Sequence, residues 1–193
     1  MMKIIFMVLF LINNFVYSQF FENFDDSLNI PNNWAIFKGE NEAGNNLNNW
    51  TISNSDGVSK NNSAFVRYEN SGKINEDWLV SPKIDLGNYR NCFLTFIQHN
   101  SFIANSTKYE IKISTSSQFD RSTFKTIEIF DDTTFYDIFS LKKINLSAYD
   151  SQQIYIAFVK TEDDGNNWYI DDISVKGDLI NSFLKGKIIF SPN

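Results

Sequence analysis

The chain has 193 residues, with 17 Lys and Arg against 23 Asp and Glu, a formal net charge of −6 at pH 7 and one Cys. That balance excludes the basic footprint by which proteins grip nucleic acid or anionic lipid, and a lone Cys excludes an intramolecular disulfide. The length suffices for one domain with a full core, and three Pro and eight Gly rule out a collagen-like or low-complexity chain.

Met1-Met2-Lys3 precedes an apolar run from Ile4 to Ile12, and Val16-Tyr17-Ser18 then leads to Gln19. One cation, a short apolar core and small residues at the minus-three and minus-one positions describe a secretory signal peptide, residues 1–18, cleaved after Ser18. The apolar run is about half the roughly 20 residues a spanning helix takes, so no membrane insertion is expected. Cleavage removes Lys3 and no acid, leaving 16 basic against 23 acidic side chains and a net charge of −7.

After Gln19 the pattern is almost wholly β. Phe20-Phe21-Glu22-Asn23-Phe24 places Phe20, Glu22 and Phe24 together by alternation, an acid within an apolar setting. Turn residues follow, then a short strand from Trp34 to Lys38, a polar loop from Gly39 to Asn49, and an extended Trp50-Thr51-Ile52. Further strands are expected at Ala64–Tyr68, Asp77–Pro82, Cys92–Gln98, Tyr109–Ile113, Phe124–Phe130, Phe139–Leu146, Gln153–Val159 and Trp168–Val175. Pro82 ends pairing of its strand. No segment sustains a helical period, so the expected fold is an all-β jelly-roll sandwich of two antiparallel sheets. Cys92 lies in an apolar stretch and is expected to be buried.

The closing strand carries the most informative residue. Alternation sets Tyr169, Asp171, Ile173 and Val175 on one face, and Trp168, Ile170, Asp172 and Ser174 on the other. A carboxylate lined up with Tyr, Ile and Val is buried and needs a partner or a metal. A bulge that turns Asp171 out to solvent would instead make the acidic pair ordinary polar surface.

Several blocks resemble the choice-of-anchor J and cleaved-adhesin domains of secreted bacterial proteins, which are similar to MAM domains. They are Phe21-Glu22-Asn23-Phe24-Asp25 with Ile30-Pro31-Asn32-Asn33-Trp34, then Glu76-Asp77-Trp78-Leu79-Val80-Ser81-Pro82, then Ile144-Asn145-Leu146-Ser147-Ala148-Tyr149 with Ile154–Phe158, and finally Trp168–Val175. The resemblance spans residues 20–177 and implies a non-catalytic accessory or adhesive module, often with structural calcium. Carried over by position, the metal candidates are Glu22 and Asp171, with Asp25 and Asp172 secondary. The loop before Trp50 lacks the Asp- and Gly-rich run of the family, which puts a second calcium there in doubt. The domain is set at residues 19–177. Residues 178–193 read as a linker, and Phe183–Asn193 looks like the truncated opening of a type IX sorting domain.

Catalytic signatures are absent from the sequence. His99 is the only His, its parity along the strand is opposite to that of Cys92, and no nucleophile elbow, zinc helix or phosphate loop occurs. Three function classes follow: a secreted, non-enzymatic adhesion module with an extracellular protein or glycan as partner, a carbohydrate-binding module of a polymer-degrading system, and a secreted hydrolase. Trp34, Trp50, Tyr136 and Trp168 are the aromatics to examine as sugar platforms, with a core role the plainer alternative for each. Coplanar aromatics on an open face would favour the glycan reader, and an apolar patch without such a platform would favour protein adhesion.

Overall fold

A computed structural model describes residues 16–26, 28–39, 49–58, 61–101, 107–131 and 138–180. The expected signal segment (save Val16–Ser18), most of the loop before Trp50, Tyr136 and the tail from 181 onward lie outside the described residues. Sheet A contains β1 (Val16–Glu22), β3 (Thr51–Ser53), β4 (Ser63–Val66), β7 (Tyr89–His99), β10 (Ser140–Asn145) and β12 (Trp168–Leu179). Sheet B contains β2 (Ala35–Lys38), β5 (Asn75–Val80), β6 (Ile84–Asp85), β8 (Lys108–Ser114), β9 (Lys125–Asp131) and β11 (Gln153–Glu162). Every pairing is antiparallel. Two short 3-10 turns, Arg121–Thr123 and Ser147–Tyr149, lie between strands.

The order of sheet A is β10-β7-β12-β4-β3, and that of sheet B is β2-β5-β11-β8-β9. The main core fills the space between them. Sheet A contributes Leu94, Phe96, Trp168, Ile170, Ile173 and Val175, and sheet B contributes Leu79, Ile111, Ile156 and Phe158. Trp168 is the hub. Its ring meets Tyr109 at 4.8 Å, Trp50 at 5.4 Å and both Phe130 and Phe158 at 6.2 Å. A smaller cluster of Ala35, Trp78, Val80, Ala157 and Val159 occupies the other face of sheet B, where Phe37 stacks on Trp78 at 5.5 Å.

β12 runs through the middle of sheet A. One edge pairs with β7 throughout, while the other pairs with β4 over Trp168–Ile170 and with β1 from Ile173 to Asp178. The two neighbours thus share an edge and leave a gap opposite Asp171 and Asp172. There the register against β7 slips by one residue, since Asp171 faces Ile97 and Ser174 faces Thr95. Asp172 adopts φ 48° to make the bulge.

That bulge overturns the uniform alternation expected for the strand. One extra residue exchanges faces, so Trp168 and Ile170 before it and Ile173 and Val175 after it all enter the same core. Tyr169 does not share a face with Ile173. It lies on the outer side of sheet A, stacked on Phe65 at 4.6 Å.

β1 begins at Val16, with Val16, Tyr17 and Ser18 opposite Asp178, Gly177 and Lys176. A second register shift falls between Ser18 and Phe20. The expected cleavage bond after Ser18 therefore sits at a bulge inside this strand. β5 ends at Val80, ahead of Pro82.

Candidate functional site at the β12 bulge

Asp171 is the buried acid anticipated from the strand pattern, 4% exposed, although a bulge is present. Its Oδ2 accepts a hydrogen bond from the Val58 backbone N–H at 2.8 Å, and its Oδ1 accepts from the Asp172 N–H at 2.7 Å. The loop after β3 carries Val58 across the gap between β1 and β4. Gly57 N–H in that loop donates to Asn61 O at 2.9 Å. A Cβ at Gly57 would stand 2.3 Å from Asn62 O, so only glycine allows this approach.

Burial is the main reason the Asp171 carboxyl is raised from 3.8 to about 6, with the charges of Asp172 and Asp25 adding to it. Asp172 is raised by burial and then by Asp25. Hence Asp25 lies close enough to raise Asp171 and Asp172, from the opposite end of the described chain. Glu22 is half-buried next to them, but its Oε1 is taken up by the Phe24 N–H at 2.9 Å. This bond supports Phe24 in a left-handed conformation, φ 58°, which turns its ring into the core and opens the Asp25 turn. Asn62 Nδ2 donates to the carbonyls of Phe24 at 3.4 Å and Asp25 at 3.2 Å.

No ion pair between described residues reaches Glu22, Asp25, Asp171 or Asp172. Neighbouring carboxylates without a cation, beside turn carbonyls, form an oxygen donor set suited to a hard cation. Among the described residues no three Asp, Glu, His or Cys side chains gather into a cage. A calcium ion here would take two carboxylates at most, together with backbone carbonyls and water.

Three of the four aromatics expected as sugar platforms are core residues, and Tyr136 lies outside the described residues. Trp34, Trp50 and Trp168 are 6%, 2% and 0% exposed. A different set crosses the outer face of sheet A. Phe65, Tyr169 and His99 are cross-strand partners on β4, β12 and β7, and Phe139 follows just before β10. Centroid separations are 4.6, 5.3 and 5.2 Å, close to the strand spacing, with interplanar angles of 24°, 47° and 30°. The rings therefore lean on one another and show their edges to solvent. Exposed Ile138, Phe139 and Leu141 extend this ridge to the sheet edge. Sequence reasoning missed the row because three of its members come together only through strand pairing.

Cys92 and His99 lie on opposite faces of β7. Cys92 is buried in the core, and burial, followed by Asp150 and Asp178, pushes its thiol up to about 12. Its thiolate is thus suppressed, while His99 stacks outside on Tyr169.

No family model and no curated protein matches the chain. Among solved structures, it is similar to the K3 cleaved adhesin domain of Lys-gingipain from Porphyromonas gingivalis W83, with 21% identity, TM-score 0.62, and coverage of 82% of this chain and 98% of that one. The K1 cleaved adhesin domain of the same protein gives 19% identity, TM-score 0.57, and coverage of 85% and 99%. TmCBM61, solved with β-1,4-galactotriose, gives 12% identity, TM-score 0.56, and coverage of 81% and 94%. At such identities the likeness is one of fold. The chain has the β-sandwich architecture of cleaved adhesin domains and carbohydrate-binding modules.

Proposed function

We propose that the chain is a secreted, non-catalytic β-sandwich module that binds an extracellular protein through the outer face of sheet A, in the manner of choice-of-anchor J and cleaved-adhesin domains. The observation that carries this reading is the edge-on aromatic row joined to exposed Ile138, Phe139 and Leu141. A sugar ring stacks on an open aromatic face, and the inner rings Tyr169 and His99 each have a ring neighbour on both sides. An apolar ridge of this kind instead suits a complementary protein surface. The fold likeness to cleaved adhesin domains supports the same class. Catalysis has no support from Cys92 and His99, which do not meet.

A carbohydrate-binding role is the second reading, favoured by the likeness to TmCBM61. The two are separated by probing the purified chain against immobilised extracellular matrix proteins and against a glycan array. Protein binding that Leu141→Asp abolishes is expected. Glycan binding that Tyr169→Ala abolishes, without any protein binding, would replace it with the second reading.

Calcium is part of the proposal. Two carboxylates from among Asp171, Asp172 and Asp25 would hold it, with Glu22 ordering the turn whose carbonyls complete the shell. The ion would neutralise the crowded carboxylates and pin β1 and the loop after β3 to β12. A ligand held only by the folded state adds about 2.7 kcal/mol at a hundredfold excess over Kd. The melting temperature should therefore rise by several degrees in calcium over chelator, and Asp171→Asn should shrink that rise. Identical melts in both buffers would reject the ion.

A further inference from the structure

The inner face of sheet B ends in charge rather than hydrocarbon. Lys38, Asp77 and Lys160 are direct cross-strand partners on β2, β5 and β11. They continue the faces that carry Leu79 and Phe158 into the core. Lys160 is 0% exposed and is held by the carbonyls of Arg67 at 2.7 Å and Asn166 at 3.2 Å, with Glu162 at 3.6 Å. Among the described residues, Lys38 meets side-chain oxygens rather than a carbonyl cradle. Its Nζ stands 2.6 Å from Glu69 Oε1, 2.7 Å from Asp77 Oδ1 and 3.1 Å from Asn75 Oδ1. Asn75 Nδ2 in turn donates to Asp77 Oδ2 at 2.7 Å. Both Asn75 and Asp77 are 0% exposed.

A lysine amine thus rests against a side-chain carboxamide, and one carboxyl group touches both the amine and the amide nitrogen. We propose that Lys38 and Asn75 join in an intramolecular isopeptide bond, with Asp77 as the proton carrier. Asp77 takes the ammonium proton at Oδ1 and leaves a neutral amine. Nζ then attacks Cγ of Asn75, the Nζ–Cγ bond forms, and the Cγ–Nδ2 bond breaks. The second Nζ proton passes through the Asp77 carboxyl to Nδ2, which leaves as ammonia. An amine and a carboxamide become a secondary amide and ammonia, with no change of oxidation state.

The surroundings favour each step. Burial raises Asp77 above its ordinary range, chiefly by desolvation, which makes its carboxylate a better proton acceptor beside Lys38. Neutralising the pair also frees the amine lone pair that a buried ammonium lacks. The antiparallel pairing of β2 with β5 holds the reactants in place and removes the entropy cost of their encounter. The product would staple edge strand β2 to β5 in a chain whose lone Cys cannot form an internal crosslink.

Peptide mapping by tandem mass spectrometry of the folded full chain tests the proposal. The expected result is a branched peptide joining the Lys38 and Asn75 segments, lighter than their sum by one ammonia, with no tryptic cleavage after Lys38. Whole-protein mass alone does not decide, because cyclisation of an N-terminal Gln19 loses the same mass. Lys38→Arg, which keeps the charge, and Asn75→Ala should each give linear peptides, as should Asp77→Ala if circular dichroism shows it folded. Linear, unmodified Lys38 and Asn75 peptides from aged, folded wild-type protein would overturn the bond and leave a buried ion pair. A branched peptide persisting in Asp77→Ala would overturn the role of Asp77.

Discussion

Trp168 anchors the core through packing and through one hydrogen bond, and the two contributions can be separated. Its indole Nε1–H donates to Gln98 Oε1 at 3.0 Å, a contact wholly inside the sandwich, with Trp168 0% and Gln98 1% exposed. Gln98 Nε2 has no partner among the described residues, so this bond is the one that justifies the amide. Trp168→Phe removes about 40 Å³, worth about 1 kcal/mol at about 24 cal/mol per Å³ of cavity. It also strands Gln98 Oε1, which adds about 1–3 kcal/mol. The expected destabilisation is therefore about 2–4 kcal/mol. Gln98→Leu alone strands the indole N–H and is expected to cost a similar polar penalty. The double variant leaves neither group bare, so only the cavity cost of about 1 kcal/mol should remain. Urea unfolding followed by far-ultraviolet circular dichroism gives the cycle at constant m. Strict additivity of the two changes, or a Trp168→Phe cost below about 0.5 kcal/mol, would refute the hydrogen bond's part in the core.

Two further outcomes follow from local geometry. Folding raises the Asp171 carboxyl from 3.8 to about 6, so the folded state holds this proton more tightly than the unfolded chain does. The resulting stabilisation is fully present below pH 3.8 and is lost as pH rises through about 6. In chelator, the melting temperature of wild type minus that of Asp171→Asn should fall across this window, and a flat difference would contradict the burial argument. Gly165 sits in the turn whose next residue cradles Lys160, and a Cβ there would lie 2.3 Å from Thr107 Oγ1 and 2.6 Å from Glu162 Cβ. Gly165→Ala should cost about 1–3 kcal/mol by urea unfolding, and an unchanged midpoint would show that the turn yields.

The strands were legible because alternation and bounding turns recur at nearly every one. β6 was not, since a two-residue strand has no period to read. The parity of β12 was legible only up to its bulge, because nothing in Ile170-Asp171-Asp172-Ile173 states which residue is the extra one. Burial of Asp171 followed from its apolar neighbours, but its cover did not. Val58 reaches it across 113 residues of sequence. The same limit hid the aromatic row and the Lys38–Asp77–Lys160 line, where residue types gain meaning from register. Trp34, Trp50 and Trp168 show the converse, because a large aromatic in a β pattern reads alike whether it faces a ligand or the core.

The pairing of β1 with β12 also sets the order in which the chain can fold. As the chain emerges from its N-terminus, every strand of sheet B is available once Glu162 has appeared, whereas sheet A still lacks its central member. Until β12 arrives, β1 and β4 have no shared partner, and the inner face of sheet B has no Trp168 to cover it. Closure is thus held back to the last segment, with a large loop entropy to overcome at that step. The two-sheet core is therefore completed only when the last strand of the described chain pairs with the first.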